Sequence, residues 1–518
     1  MPNSPIVTTR SGLLQGVTLA ADPEARRQTD VHVYRNIPFA ASTEGEGRFR
    51  APQREAVWDG VRDATAFGSV APQAPSPLEA MFGSGPLVTS EDCLNLNVWT
   101  PGCDDRARPV MVWIHGGGFV NGSGTTAWYD GTRFAANHDV VVVTLNYRLG
   151  AFGYLHLAGI TDADPTLNSN CGLLDQVAAL EWVRDGIVAF GGDPANVTIF
   201  GESAGAMSVG ALLAVPAAEG LFHRAVLQSG AAINVTAAEA ATRTAAAVLG
   251  ELGLTVDEVG VKGLREVAAD VLLKTSDEVG NRGLVDNGLP YQPIIDGPTL
   301  PVHPHDALRS GVSADVDVLI GTNRDEMRLF LLLDSSLDGA TRERLADRAR
   351  PVLGDRAGAV MDAYLANRPG QPMSEVWPDI ATDMAFRWPA QRLAESKAAA
   401  AGKGRMWAYE FTWQTPVFGG RLKSCHALEI PFVFDNLDQQ GAGMFTGDGG
   451  ERQAIADVLN VAWANFARTG DPNVPTRIPH KGPQWPAFDP VTRSIYQVDA
   501  TVTVASDPRG DELRLWPS

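Results

Sequence analysis

Cysteine is scarce in this chain, which has four cysteines in 518 residues. No two of them have the C-x-x-C spacing that is typical of zinc sites and redox pairs. The sequence therefore predicts neither kind of site, and we expect no metal and no cofactor. So few cysteines in a long chain are typical of a reducing compartment, which predicts a cytoplasmic protein. The cysteines are Cys93, Cys103, Cys171 and Cys425.

Basic residues are also few. Lysine and arginine total 42 against 61 aspartates and glutamates, which gives a net charge of −19 and a pI of about 4.9. This balance argues against nucleic acid and anionic membrane surfaces as partners. No apolar run approaches the roughly 20 residues of a membrane span. Residues 1–5 lack the basic and apolar regions of a signal peptide, so we expect none.

The sequence does contain short apolar runs that alternate with helical patterns. The runs at 109–114 and 140–145 are continuously apolar, which is typical of strands buried on both faces. The alternation predicts an α/β fold with a mostly parallel sheet and helices on both faces. No repeat or linker marks a boundary, so we predict a single domain over residues 1–518. Further strands are predicted at 94–100, 197–200, 224–228, 316–322, 406–411 and within 494–504, and helices at 173–190, 206–213 and 455–466.

The remaining stretches are expected at the periphery. Residues 7–16 and 31–37 are predicted to form an antiparallel, hairpin-like start. Alanine-rich helical patterns predict helical insertions at about 231–310 and 327–400, and we expect them to lie over the active site. The second insertion offers two tryptophans to line a pocket, Trp377 and Trp388.

A Gly-Glu-Ser-Ala-Gly segment at 201–205 lies between a predicted strand and a predicted helix. This context is typical of a nucleophile elbow, a strained turn that exposes its central hydroxyl at the top of a sheet. A side chain at either outer position would collide with the neighbouring strand or helix, so glycine is needed there. The sequence therefore predicts Ser203 as a nucleophile.

A serine nucleophile needs a base, and the base needs an orienting acid. Where a serine stands on such an elbow, the acid and then the histidine follow it in the chain, each just after a strand. His426 follows a predicted strand by a short loop and is the candidate base. Asp325 and Glu326 both follow the preceding strand, and position alone does not choose between them. His303 and His305 lie in a proline-rich loop and are expected to be exposed.

Three consecutive glycines at 116–118 follow the buried strand at 109–114. Glycine lets backbone N–H groups approach a substrate, and such groups stabilise the oxyanion of an ester's tetrahedral intermediate. A phosphate-binding loop is the alternative, but neither phosphate-loop motif occurs at a strand-to-helix turn. We therefore predict an oxyanion hole at these glycines, with the N–H group of Ala204 as a further donor.

In these motifs the chain resembles the type B carboxylesterase family, whose members include liver carboxylesterases, cholinesterases and bacterial para-nitrobenzyl esterases. The resemblance covers nearly the whole chain and is closest in character to the para-nitrobenzyl esterases. It implies the α/β-hydrolase fold and a serine carboxylic-ester hydrolase. The segments that carry it are Arg48-Phe49, 90–97 (SEDCLNLN), 113–119 (WIHGGGF), 146–150 (NYRLG), 172–176 (GLLDQ), 190–194, 200–206 and His426 with 429–432 (EIPF).

The resemblance also implies roles for single residues. It favours Glu326 over Asp325 as the acid, and it supports His426 as the base. The implied oxyanion donors are Gly117, Gly118 and Ala204, the implied supporting residues are Glu202 and Ser229, and the implied structural ion pairs are Arg48 with Glu91 and Arg148 with Asp175.

At three positions the chain departs from the family pattern. Many members tie the loop at 71–92 by a disulfide to the cysteine that matches Cys93, but the partner position here is Ala71, so we expect no bridge. Cholinesterases place a tryptophan in this loop to hold a quaternary ammonium group. The loop here has no tryptophan, and Phe82 is its one aromatic residue, which disfavours choline esters. Met327 stands where a glycine often follows the acid.

We therefore predict a serine carboxylic-ester hydrolase that acts on small to medium neutral esters through an acyl-enzyme on Ser203. A carbamate or amide hydrolase with the same triad is the alternative, and a non-catalytic binding member of the family is a third hypothesis. The expected partner is a small-molecule ester, with no nucleic acid and no membrane, and the expected state is a monomer or weak homo-oligomer. Because the base must be neutral, activity is expected to fall below roughly pH 6–7.

Overall fold

The structure, a computed structural model, describes residues 4–76, 87–162, 164–287, 289–473 and 482–517. Eleven of its strands form one large sheet, with a three-stranded and a two-stranded sheet beside it. The strands are β1 (Ile6–Thr8), β2 (Leu13–Gln15), β3 (Val17–Leu19), β4 (Val31–Pro38), β5 (Val61–Asp63), β6 (Asn95–Thr100), β7 (Arg108–Ile114), β8 (Val141–Leu145), β9 (Gly192–Glu202), β10 (Arg224–Gln228), β11 (Thr236–Ala237), β12 (Ile294–Ile295), β13 (Asp317–Asn323), β14 (Met406–Phe411), β15 (Ser494–Val498) and β16 (Thr503–Ser506).

The large sheet is mostly parallel. Its strand order is β16-β15-β14-β13-β10-β9-β7-β8-β6-β4-β3. The seven strands from β15 to β8 run parallel, and pairing becomes antiparallel towards both edges. Because the carboxyl ends of parallel strands share one edge, the residues that follow β7, β9, β13 and β14 meet there. The predicted α/β fold with a mostly parallel sheet is confirmed.

Helices cover both faces of the sheet, and a π-helical turn (Asp383–Arg387) joins two of them. The α-helices are α1 (Thr132–His138), α2 (Gly150–Tyr154), α3 (Cys171–Gly186), α4 (Ala204–Leu212), α5 (Ala238–Glu251), α6 (Glu258–Glu266), α7 (Ala269–Asn287), α8 (Pro304–Arg309), α9 (Arg328–Leu331), α10 (Arg342–Leu353), α11 (Ala357–Asn367), α12 (Met373–Thr382), α13 (Trp388–Ala399), α14 (Ile430–Val433), α15 (Ala442–Thr446), α16 (Arg452–Thr469) and α17 (Gly510–Leu513).

Strand β7 shows why its sequence is continuously apolar. Val110, Val112 and Ile114 pack into the core on the face that carries α3, α4 and α13. Met111 and Trp113 pack into a second core on the opposite face, with α1 and α16. All five side chains are fully buried. A strand covered on both faces must be apolar at every position, which is the pattern from which the sequence predicted it.

Some peripheral predictions are wrong. The 7–16 segment does not pair with 31–37, because β1 and β2 form a small sheet with β5, while β4 joins the large sheet between β3 and β6. The reason is that β4 buries Val31 and Val33 in the second core.

The prediction for His305 is also wrong. His305 is buried rather than exposed, because the proline-rich loop continues as helix α8. Phe82 lies outside the described residues.

The two helical insertions differ in where they pack. The first, at about 231–310, adds α5 to α8 to the core on the α3 side. The second, at 327–400, builds a third core of its own, together with Leu513 and Trp516 near the carboxyl end. Trp377 is buried within this third core, and Trp388 stacks on Trp516 with ring centroids 5.9 Å apart. The expectation that these two tryptophans line a pocket is therefore wrong.

The ion pairs implied by the family resemblance are present in the fold. Nε of Arg48 donates to Glu91 at 2.8 Å, and Nη2 of Arg148 donates to Asp175 at 2.6 Å. All four of these side chains are buried. All four cysteines are described and carry free thiols, so no bridge involves Cys93. Within the described ranges, no helix combines the length and apolar character needed to cross a membrane.

Candidate active site

The elbow lies at the carboxyl edge of the sheet, between β9 and α4. Ser203 has a φ of +55° and a ψ of −126°, a backbone conformation that is strained for any residue with a Cβ atom. Its N–H group donates to the carbonyl oxygen of Gln228 at the end of β10, at 2.9 Å. The turn therefore fixes a half-buried serine at the point where the parallel strands end.

Glycine is required on both sides of the serine because the elbow packs directly on β7. A Cβ atom at position 201 would lie 2.6 Å from the carbonyl oxygen of Ile114, and one at position 205 would lie closer still. Backbone cannot move aside as a flexible side chain can, so both substitutions would displace a strand. The Gly-x-Ser-x-Gly pattern is therefore a consequence of how closely the turn approaches its neighbour.

Sequence position alone did not choose between Asp325 and Glu326 as the acid, and the structure shows that Glu326 contacts His426. Nδ1 of His426 lies 2.7 Å from Oε2 of Glu326, and the other carboxylate oxygen accepts from the N–H group of Asn323 at 2.7 Å. Asp325 points elsewhere, since its carboxylate receives the N–H group of Ser424 at 3.3 Å. Of the two candidate acids, Glu326 is the one that contacts the imidazole.

A second carboxylate faces the other side of the imidazole. Nε2 of His426 lies 3.0 Å from Oε1 of Glu202, the residue that precedes the serine. Burial by itself would lower the pKa of His426, but the negative charges of Glu202 and Glu326 outweigh burial and raise it to about 9. The ring is therefore a stronger base than an ordinary histidine.

Two aromatic rings lie against the same imidazole. The ring centroid of Phe330 is 5.0 Å from that of His426, and the centroid of Phe386 is 4.9 Å away. Phe386 is almost fully buried, whereas Phe330 is half exposed. Sequence reasoning missed both residues. Phe330 could have been found from its place one helical turn after Glu326, but Phe386 lies in an insertion without any motif.

The three glycines after β7 form a loop beside the serine. Gly117 and Gly118 have φ values of +104° and +62°, conformations that favour glycine. A Cβ atom on Gly116 would lie 3.1 Å from Cβ of Ser203, so the loop packs directly on the elbow. Ala204 is the first residue of α4, where an N–H group has no partner inside the helix. The loop that carries Gly117 and Gly118 therefore starts beside Ser203, and Ala204 directly follows the serine in the chain.

The residue before these glycines fixes the start of the loop. His115 is buried and stacks on Tyr147, with ring centroids 4.5 Å apart. Burial lowers the pKa of His115 to about 4, so the ring is neutral near pH 7. Its Nδ1 atom is 2.8 Å from the carbonyl oxygen of Gly116, and the hydroxyl of Tyr147 donates to the carbonyl of His115 at 2.9 Å.

Behind the candidate acid lies a buried glutamate to which sequence reasoning gave no role. Burial, and then the charge of Glu326, raise the pKa of Glu429 to about 7. It accepts hydrogen bonds from Asn323 at 2.6 Å and from Gln228 at 3.1 Å. Ser229, a predicted supporting residue, is fully buried with a φ of +52°, and its hydroxyl has no hydrogen-bond partner among the described residues.

The part of the chain that the structure describes has no cluster of three or more histidine, cysteine, aspartate or glutamate side chains that could hold a metal ion. The site offers the half-buried hydroxyl of Ser203, an imidazole with a raised pKa, and backbone N–H groups of the glycine loop and of the start of α4. Nucleophilic acyl transfer uses groups of these three kinds.

The chain order of the site residues narrows the class of protein. A serine on a strand-to-helix elbow, followed along the chain by an acid and then a histidine from later strands, is the pattern of the α/β-hydrolases. Here the order is Ser203, Glu326 and His426, and all three lie at the carboxyl edge of a mostly parallel sheet. The fold and the site define an α/β-hydrolase.

Comparison with known proteins narrows the class to a family. The model of the carboxylesterase family matches residues 3–516. The chain is 40% identical to the para-nitrobenzyl esterase of Bacillus subtilis over 517 residues, 99% of each chain. It is 33% identical to the liver carboxylesterase of Sus scrofa, over 99% of this chain and 92% of that one. A solved carboxylesterase structure from Geobacillus stearothermophilus is 40% identical with a TM-score of 0.86, covering 99% of this chain and 100% of that one.

The chain therefore belongs to the carboxylesterase family, and it is a serine carboxylic-ester hydrolase. The predicted family, fold and enzyme class are confirmed. Neither the carbamate or amide alternative nor the non-catalytic alternative is favoured by these similarities.

Proposed function

We propose that Ser203, His426 and Glu326 are the catalytic triad of this esterase. The observation that carries the proposal is the 2.7 Å contact between Nδ1 of His426 and Oε2 of Glu326, beside the elbow that presents Ser203. Both side chains are almost fully buried, so water does not compete for the contact. Glu326 holds the ring in the tautomer whose Nε2 accepts a proton, and it stabilises the imidazolium that forms.

In acylation, Nε2 of His426 takes the proton of Ser203 while Oγ attacks the carbonyl carbon of the ester. Nε2 faces the neighbouring Glu202 in the resting arrangement, at 3.0 Å, so it already points towards the elbow. The serine hydroxyl takes over this nitrogen when substrate is bound, since catalytic hydrogen bonds often tighten only in the Michaelis complex. The imidazolium then gives its proton to the alcohol oxygen, and the alcohol leaves an acyl group on Ser203.

The N–H groups of Gly117, Gly118 and Ala204 are proposed to bind the oxyanion of the tetrahedral intermediate. The positive φ values of the two glycines and the packing of their loop on the elbow support this assignment. Fixed donors of this kind stabilise the charge that develops in the transition state without having to reorganise. In deacylation, a water molecule replaces the alcohol, His426 again acts as the base, and the carboxylic acid leaves.

We propose that the substrates are neutral esters of small to medium size. The rings of Phe330 and Phe386 offer an apolar surface beside the imidazole. The carboxylate of Glu202, in contact with the same ring, would repel an anionic substrate group. The names of the similar esterases support an ester as the substrate.

We also propose that the chain acts as a single domain over residues 1–518, with helical insertions at about 231–310 and 327–400. Four free thiols support a reducing compartment, so we propose that the enzyme is cytoplasmic, without nucleic-acid or membrane partners. It is proposed to be a monomer or a weak homo-oligomer, which sedimentation over a range of concentrations would decide.

Replacing Ser203 by alanine tests the triad. The Ser203→Ala variant should hydrolyse a p-nitrophenyl ester at least about 10⁴-fold more slowly than the wild type and should not react with a fluorophosphonate. Ser313→Ala is a matched control, because Ser313 also has a φ of +55°, but its hydroxyl donates to the backbone carbonyl of Leu213 and contacts no residue of the proposed triad. If Ser203→Ala keeps activity within tenfold of this control, the proposed nucleophile is wrong.

A further inference from the structure

The loop with the proposed oxyanion donors is held at its far end by a side chain from a distant part of the sequence. Nε2 of Gln73 donates to the carbonyl of Gly122 at 2.9 Å, and Oε1 of Gln73 accepts from the N–H group of Gly122 at 2.9 Å. One amide side chain thus pairs with both backbone groups of a single residue. The second proton on Nε2 reaches the carbonyl of Ala71 at 3.1 Å, so both protons of the buried amide are used.

Position 122 is coupled to the donors through a closed turn. The N–H group of Asn121 donates to the carbonyl of Gly117 at 2.9 Å, and Val120 donates to the same carbonyl at 3.1 Å. Gly122 has a φ of +100° and packs against Gly116 so closely that a Cβ atom would not fit between them. A displacement at 121–122 must therefore move the glycines that carry the donors.

The segment that contributes Gln73 is itself fixed at its base. Val70 exchanges backbone hydrogen bonds with Val88 and Ser90, both at 2.9 Å, which joins the chain before Gln73 to the chain that resumes at 87. Nδ2 of Asn121 also donates to the carbonyl of Ala74, at 3.0 Å. No covalent bond ties this segment, since Cys93 carries a free thiol. Hydrogen bonds centred on Gln73 hold the segment against the turn.

We infer that Gln73 is a positioning residue for the oxyanion hole. The inference rests on the proposed function, because it assigns to Gln73 the task of holding Gly117 and Gly118 where the oxyanion forms. Gln73 acts through Gly122 and the turn, and it contributes to binding of the charged tetrahedral state rather than to binding of the neutral ester. An N–H group displaced by a fraction of an ångström loses much of its effect on the transition state and little of its effect on the ground state.

Two substitutions separate the contributions of the amide. Gln73→Met keeps the length of the side chain and removes both hydrogen bonds to Gly122, whereas Gln73→Glu keeps the acceptor and removes the donor. Each is expected to lower kcat for a p-nitrophenyl ester by about 10- to 100-fold, with KM changed by less than about threefold. Affinity for an aryl trifluoromethyl ketone, which adds to the serine and forms an oxyanion, should fall in proportion to kcat/KM, while inhibition by a neutral alcohol product stays unchanged.

Gln53→Met is the matched control. Like Gln73, Gln53 bonds through its amide to backbone groups, here the carbonyls of Ala51 and Pro52 at 3.1 and 3.5 Å. Gln53 is exposed, however, and none of these bonds involves the turn. Gln53→Met should leave kcat, KM, affinity for the trifluoromethyl ketone and inhibition by the alcohol as in the wild type. Thermal unfolding of each variant shows how much of any loss reflects unfolded protein.

The outcomes distinguish a failure of the role inferred for Gln73 from a failure of the proposed triad. If Ser203→Ala abolishes turnover but both Gln73 variants keep kcat within threefold of the wild type, the role of Gln73 is wrong and the triad stands. The role is also wrong if kcat and alcohol binding fall together, or if activity falls only in proportion to folded protein. If Ser203→Ala remains active, the proposed function itself fails, and the inference fails with it.

Discussion

At the scale of single residues, Gly205 of the elbow is one of the most tightly constrained positions. Its Cα atom lies so close to β7 that any Cβ would meet the backbone carbonyls of Ile114 and His115. Gly205→Ala is expected to lower the free energy of unfolding by about 2–3 kcal/mol, because the strand or the elbow must shift to admit one methyl group. Urea denaturation followed by tryptophan fluorescence would measure the loss.

Gly250→Ala makes the same chemical change as Gly205→Ala, but we expect it to raise the free energy of unfolding rather than lower it. Gly250 is an exposed residue near the end of α5, and a Cβ atom there would meet nothing within 4 Å. Alanine is the better helix former, so this variant should be more stable than the wild type by about 0.5–1 kcal/mol. If the two alanine variants have the same stability, the packing argument for the elbow is wrong.

The charge of Glu202 sets the pH at which the base becomes active. The sequence predicts loss of activity below roughly pH 6–7, the range of an ordinary histidine. With the pKa of His426 raised to about 9, the neutral form is reached only at higher pH, so kcat/KM should rise towards pH 9. Glu202→Gln removes the charge that contributes most to the raised pKa of His426, while Glu326 and Glu429 remain. The inflection in kcat/KM should therefore move to lower pH, by about one unit or more.

A pH profile of kcat/KM for a neutral ester, from pH 5 to 10, checks this prediction. Glu181→Gln serves as the control, since Glu181 is exposed on α3, and its profile should coincide with that of the wild type. An inflection that stays in place or rises in Glu202→Gln would show that Glu202 does not control the base.

The residues of the site were not equally predictable. Ser203 and His426 could be predicted because a motif or a preceding strand marks each of them. Asp325 and Glu326 could not be separated by position, because adjacent residues after a strand point in different directions and only the contact with Nδ1 decides. Gln73 gave no signal, since its partner is a backbone group 49 residues away.

At the scale of elements, the π-helical turn between α12 and α13 connects the site to the third core. Phe386 in this turn contacts the imidazole, and the next residue, Arg387, donates to the carbonyl of Arg324 at 2.7 Å. Arg387 also pairs with Asp383 and, at 3.2 Å, with Glu410. One widened helical turn therefore places an aromatic ring on one side and a buried cation on the other.

Removing that cation should destabilise the fold strongly. Arg387→Met leaves Asp383 and Glu410 buried without this partner, and we expect a loss of about 3–5 kcal/mol in the free energy of unfolding. Arg350→Met is the control, because Arg350 pairs with Asp347 on the solvent-exposed surface of α10 and should leave the urea midpoint unchanged. Equal midpoints for the two variants would mean that the buried charges do not depend on Arg387.

The elements of the central sheet were predictable where those of the insertions were not. Strands β7 and β8 are buried on both faces, so their sequences are continuous apolar runs that can be recognised without the structure. The order of strands and the partners of the peripheral ones depend on contacts between distant segments, which no local pattern records. Trp377 shows the same limit, because its helix packs on other helices of the insertion rather than on the site.

At the scale of the whole molecule, the excess of acidic residues creates a field that acts on every approaching substrate. The net charge of −19 should repel anionic esters and attract cationic ones over distances up to the Debye length, about 30 Å at 0.01 M salt and 8 Å at 0.15 M. For three esters with the same acyl group and an anionic, neutral or cationic alcohol, kcat/KM should rise with salt, stay constant and fall, respectively. The neutral ester controls for effects of salt on the enzyme itself.

Glu202 is buried in contact with His426, so salt screens its charge only weakly. Its effect would therefore persist at high salt as a constant preference against the anionic ester. If the anionic ester shows no dependence on salt, the surface charge does not reach the site, and any discrimination against anions must come from Glu202 and its immediate neighbours.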